Sequence, residues 1–175
     1  RWRARRRARR IGYACDDALW FHDSTHADPG APGRARAFRA MLRAADHVIA
    51  GNRFLADGAE ADGARATVIP SPVDVRRYTA RPAPDPAAPF TIGWIGAHGS
   101  LHYLERMRDV WDDVADRVPG ARLEIVCDHF FDCARLPVVK TPWSAETETA
   151  VLQRFDVGVM PLLDDPWSWG KCGLK

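Results

Sequence analysis

The chemistry-bearing residues of this chain concentrate in Pro161–Lys175, PLLDDPWSWGKCGLK, directly after the apolar run FDVGVM at 155–160, which reads as a strand. In open parallel sheets, ligands bind beyond the carboxyl ends of strands. At such a place Gly170, Lys171 and Gly173 suit an anion. Glycines admit close approach of backbone N–H groups, a helix start adds partial positive charge, and lysine adds a full one. Asp164 and Asp165 can accept hydrogen bonds from sugar hydroxyls, while Trp167 and Trp169 offer flat apolar faces to a sugar or a base. The competing reading is a loop anchored by its two tryptophans. The stretch is not a P-loop: Cys172 follows Gly170-Lys171 where Ser or Thr belongs, and the upstream glycine is missing.

Other strand ends carry further candidates. Gly93–Gly99 (GWIGAHG) is spaced G-x-x-G-x-x-G, off the dinucleotide fingerprint G-x-G-x-x-G. Asp128 ends the next strand, where a ribose-binding acid would fall. A nicotinamide- or flavin-dependent oxidoreductase is thus a rival, weakened by the altered spacing and by a complete α/β unit upstream. Asp16 and Asp17 follow a strand and lie near Trp20, His22 and His26. They suit hydrogen bonding to an acceptor, or loop capping; a metal site lacks a third well-placed ligand. CDHFFDC at 127–133 reads as a strand end with incidental thiols, so no metal is expected.

The elements that must position these residues alternate between strand and helix periods, which predicts an α/β architecture with parallel strands. Strands are expected at 11–14, 47–50, 67–69, 90–95, 123–127, 138–140 and 155–160. Helices are expected at 34–45, after the cap Asn52, along the stripe Leu101, Leu104, Met107, Trp111, Val114 and Val118, and at 146–154. The Arg-rich start, 1–9, is helix-compatible, and another helix is expected to open near Gly173. Residues 79–89, TARPAPDPAAP, hold four prolines and no large apolar side chain, which reads as a linker. The domains are therefore drawn at 1–72 and 90–175, with 73–89 between them.

The 175 residues are 46% hydrophobic and 27% charged, a globular composition. No stretch approaches the roughly 18 apolar residues of a membrane span. Seven of the 25 basic residues fall in the first ten positions, leaving 18 against 23 acids and a balance of −5 over the rest. That is not the charge of a nucleic-acid binder. The basic start suits phosphates or anionic headgroups in a peripheral membrane contact, or else is a solvated helix face. Four cysteines without CxxC spacing, and no secretory apolar region, favour reduced thiols and a cytoplasmic setting. Lacking an initiator Met, the chain reads as an internal piece of a longer protein, inactive alone.

Five stretches together resemble the group-1 glycosyltransferases, family 4 in the usual classification, which have the GT-B fold. They are CDDALW (15–20), ADHVIAGNRFLAD (45–57), VIPSPVD (68–74), IGWIG (92–96) and FDVGVMPLLDDPWSWGKCGLK (155–175). The resemblance implies parts of two Rossmann-like domains with parallel sheets, the first taking an acceptor and the second a nucleotide-sugar donor. It implies a donor or phosphate role for Gly96, His98, Ser100, Gly170, Gly173, Leu174 and Lys175. Thr141, Pro142 and Trp143 would border the nucleobase, Asp16 and Asp17 would face the acceptor, and Asp164, Asp165 and Lys171 are the catalytic candidates. The implied reaction is transfer to an acceptor hydroxyl (glycan, lipid-linked or small molecule) with retained configuration, no metal, and no cofactor besides the nucleotide-sugar co-substrate. A non-catalytic, decayed transferase is the other alternative. Two departures stand out. The first donor turn reads Gly-Ala-His-Gly-Ser where many members carry Arg and Lys, and Gly170 falls where the family's first motif glutamate aligns. Lys171 and Lys175 would then neutralise the leaving diphosphate.

Overall fold

The computed structural model describes residues 8–81, 83 and 87–173. Most of the Arg-rich start, 1–7, and Leu174 and Lys175 lie outside the described residues. The chain divides into two compact units, one of 1–72 with 163–174, the other Val73–Leu162.

In the first unit β1 (Gly12–Cys15), α1 (Pro32–Leu42), β2 (His47–Ala50), α2 (Arg53–Ala61) and β3 (Ala66–Val68) alternate along the chain. The strands form a parallel sheet in the order β1-β2-β3, with Tyr13 opposite Val48 and Ala50 opposite Val68. Parallel neighbours need a crossover, and α1 and α2 supply it. The pleat sorts β2: Val48 and Ala50 are buried, His47 and Ile49 exposed. Phe38 and Leu42, four apart on α1, meet Leu55, Ala56 and Ala59 of α2 in the core.

The second unit runs β4 (Thr91–Ile95), a 3₁₀ turn (His98–Ser100), α3 (Leu101–Glu105), α4 (Arg108–Arg117), β5 (Arg122–Cys127), β6 (Val138–Pro142), α5 (Glu148–Leu152) and β7 (Val157–Gly158). Its four strands are again parallel, in the order β6-β5-β4-β7. Ile92, Trp94, Leu123, Ile125 and Cys127 pack on Leu101, Leu104 and Trp111. Both units thus have the α/β build with parallel sheets that the sequence implies. On β5, Glu124 is fully buried and held by Arg154 and by the Thr141 hydroxyl at 2.7 Å.

Beyond shifts of element bounds by a few residues, the structure departs from the sequence reading as follows. The stripe from Leu101 to Val118 is two helices, because the chain breaks at Arg106-Met107. The Trp111 indole N–H donates to the Leu104 carbonyl at 3.0 Å, which also accepts from the Met107 N–H at 3.1 Å. The 155–160 strand is reduced to Val157–Gly158, since Phe155 leaves the ladder to cover Gly93. A short helix absent from the sequence reading, α6 (Pro166–Trp169), begins where Asp165 accepts from the Ser168 N–H at 2.7 Å and Pro166 starts the turn. The helix expected to open near Gly173 falls on Leu174 and Lys175, outside the described residues.

The proline-containing stretch packs by its beginning on the second unit. The Tyr78 hydroxyl donates to Glu148, Thr149 donates to the Arg77 carbonyl, Gln153 donates to Thr79, and Arg81 pairs with Asp156 at 2.8 Å. Drawn in sequence as part of the second domain, residues 163–173 instead pack with the first unit.

Candidate functional site

In the first unit, the site is built where β1 and β2 end. Beyond Cys15 the chain turns through Asp16 and Asp17, and beyond Ala50 through Gly51 and Asn52 into α2. Asn52 serves two elements at once. Its Oδ1 caps α2 by accepting from the Leu55 N–H (2.9 Å), and its Nδ2 donates to the carbonyls of Trp169 and Lys171, each at 3.1 Å. Segment 163–173 is thereby fixed to a helix start. Two glycines allow its close approach. A Cβ on Gly170 would lie 2.6 Å from the Ala18 backbone nitrogen, and one on Gly51 would lie 2.2 Å from the Cys172 sulfur. The Cys172 thiol donates to the Asp16 carbonyl at 3.2 Å.

This docking brings together Asp16, Asp17, Gly170 and Lys171. The Lys171 Nζ is 2.7 Å from Asp17 Oδ1 and 4.8 Å from the centre of the Trp167 ring. Asp164 accepts from the Trp169 indole at 2.8 Å, and that indole stands edge-on to Phe54. Burial pushes the Asp165 carboxyl upward, but hydrogen bonds from Ser24, Ser168 and the Trp167 N–H outweigh it and leave the group below its ordinary value. Gly173 adopts φ +62°, a left-handed conformation that glycine takes without strain. Both thiols here are pushed above their ordinary range. Burial, with Cys172 and Asp16 nearby, pushes Cys15 up to about 11, and burial with Asp16 and Asp17 raises Cys172 against the opposing charge of Lys171.

In the second unit, the strand ends of β4, β5 and β6 carry the remaining candidates. Gly96 is required by packing: the Trp94 indole folds over it, 2.5 Å from where a Cβ would be. His98, in the 3₁₀ turn, stacks on His129 at 3.9 Å between centroids, and Asp128 lies 3.4 Å from the His129 Nδ1. Ser100 closes the turn with its N–H on the Ala97 carbonyl. Thr141 and Pro142 are the last residues of β6, and Thr141 faces inward to Glu124. Trp143 just beyond is half exposed, its indole N–H held by Glu148 at 2.7 Å. Hydrogen bonds from Tyr78 and Trp143 hold the Glu148 carboxyl below its usual range.

Sequence spacing singled out His129 only as part of a metal-like motif and did not mark Glu148. Their partners lie at other strand ends or at no recurring offset. Asn52 was legible as a cap, but its two long-range acceptors were not. Among the described residues, no group of three or more His, Cys, Asp or Glu could hold a metal ion, and no helix is long and apolar enough to cross a membrane.

No protein-family model matches this sequence, and no curated protein is significantly similar to it. Among solved structures, the crystal structure of TarM, a glycosyltransferase, matches with a TM-score of 0.61 at 10% identity, covering 84% of this chain. The likeness is one of fold, each unit being an α/β layer structure on a parallel sheet of the Rossmann type found in GT-B-like folds. This chain spans 30% of the TarM chain.

Proposed function

We propose that this chain is part of a glycosyltransferase of the group-1 type, transferring a sugar from a nucleotide-sugar donor to an acceptor hydroxyl with retained configuration and without a metal. The supporting observation is the fold likeness to TarM over 84% of the chain. The candidate residues agree with it, for they gather at the carboxyl ends of parallel strands, where such folds bind ligands.

The demanding step is departure of the diphosphate. The bond from the anomeric carbon to the phosphate oxygen breaks with its electron pair going to the phosphate. The acceptor oxygen then bonds to that carbon on the same face and gives its proton to the departing oxygen. Positive groups fixed in advance lower the barrier, because they need no reorganisation as charge develops. In the segment 163–173, the ammonium of Lys171 is the group for that charge, and open space lies where a Cβ on Gly173 would be. Asp164 and Asp165 are assigned to the sugar hydroxyls, and Asp16 and Asp17 to the acceptor. In the second unit, Gly96, His98 and Ser100 take the diphosphate side, and Thr141, Pro142 and Trp143 the base side.

Calorimetry of the complete protein against a panel of nucleotide sugars tests this reading, paired with Lys171→Ala. Expected are micromolar-range binding of one donor and a marked weakening in the variant. Binding of nicotinamide or flavin in place of any nucleotide sugar overturns the proposal. Unchanged affinity and rate in Lys171→Ala removes that residue from the site.

A further inference from the structure

We infer that Asp17 sets the anion affinity of this site, holding the ammonium of Lys171 as an internal stand-in that an incoming phosphate group must displace. The inference rests on the reading of Lys171 as the partner of the donor's phosphates. Its geometric basis is the 2.7 Å ion pair between two largely covered side chains, 19% exposed for Lys171 and 33% for Asp17. Such a pair is less screened by salt than a surface one.

The lysine backbone has little freedom to turn away from its partner. Its carbonyl accepts from Asn52, Gly170 before it abuts Ala18, and the Cys172 sulfur after it rests on Gly51. Only the side chain is left to adjust. The ammonium also lies over the Trp167 ring, which attracts a cation but brings no countercharge. The surrounding charge is acidic: Asp16 and Asp17 act together on the Cys172 thiol, and Lys171 alone opposes them. A phosphate approaching Lys171 therefore meets a carboxylate already in hydrogen-bond contact with it. Two anions at that range repel strongly, so one of them must leave. Asparagine at position 17 keeps the shape and an oxygen acceptor for the ammonium while removing the competing charge.

The test is titration calorimetry of the full chain with inorganic pyrophosphate, comparing wild type, Asp17→Asn, Lys171→Ala and the double variant. Expected is a tightening on the order of tenfold in Asp17→Asn, absent when Lys171 is also removed and shrinking with added salt. If Asp17→Asn binds no better than wild type while Lys171→Ala binds worse, Asp17 is not a competitor and the inference fails, with Lys171 remaining a phosphate partner. If wild type and Lys171→Ala bind alike, or no variant binds, Lys171 is not the partner and the inference falls with that reading. Circular dichroism and a thermal melt verify folding first, and Asp17→Ser repeats the charge removal should the asparagine variant misfold.

Discussion

The sulfur of Cys172 occupies the space that a side chain on Gly51 would fill: an added Cβ would lie 2.2 Å from it and 3.3 Å from the Cys172 Cβ. A residue just past β2 and one 121 positions later thus share a single volume. Gly51→Ala is expected to destabilise the first unit by about 1–3 kcal/mol through overpacking. Removing the sulfur should restore most of that loss, so Gly51→Ala with Cys172→Ala should be strongly non-additive in a double-mutant cycle read by urea denaturation. Additive costs would mean the two residues do not meet.

Glu124 is fully buried, whereas its partner Arg154 is 45% exposed. Arg154→Ala leaves the carboxylate with the Thr141 hydroxyl as its remaining described donor. The expected cost is about 1–3 kcal/mol, below that of a pair buried on both sides because water reaches the arginine. Adding Glu124→Gln, which removes the stranded charge, should recover part of the loss. Equilibrium denaturation of wild type and the two variants decides it, and a neutral Arg154→Ala would contradict the assignment.

Asp165 makes the returning segment sensitive to acid. Its folded-state value lies below its unfolded one, so its contribution is complete above the ordinary carboxylate range, about pH 4, and is lost as pH falls through the folded value. The melting temperature of wild type, followed by tryptophan fluorescence, should fall over that range. Asp165→Asn keeps an oxygen cap on the Ser168 N–H but removes the titration, so its profile should be flatter there. Parallel profiles would assign the acid sensitivity to other carboxylates.

Trp143 stands half exposed with its indole pinned by Glu148. If it borders the nucleobase as proposed, Trp143→Ala should weaken nucleotide binding by about tenfold, in line with ~1–3 kcal/mol for a base on an aromatic face. Because the ring contributes little to the core, the melting temperature should barely move. Calorimetry with the nucleotide alone measures the first quantity, and unchanged affinity would take Trp143 out of the site.

What was legible in sequence was local. β2 is read correctly to the residue because four apolar-compatible positions lie between a helix end and the cap Asn52. The break at Arg106-Met107 was hidden because it leaves Leu101, Leu104 and Trp111 facing one core, so the helical period runs on across it. Phe155 has the composition of a strand residue, and only the bare backbone at Gly93 explains its departure from the ladder. The strand ends carrying the candidates were predictable from alternation. The docking of 163–173 was not, since its partners Asp16, Asp17, Ala18 and Asn52 lie more than a hundred residues earlier. Adjacency along the chain assigned that segment to the strand it follows, whereas hydrogen bonds assign it elsewhere.

The first unit joins two separated stretches of sequence, 1–72 and 163–174, with 73–162 lying between them along the chain. During synthesis its sheet and two helices leave the ribosome early, but Asn52 and Asp17 wait for counterparts that arrive 117 and 154 residues later. Contacts of the unit translated first therefore form only after 73–162 has been made, and a nascent chain stalled before Leu163 would display the sockets at Gly51 and Ala18 unfilled.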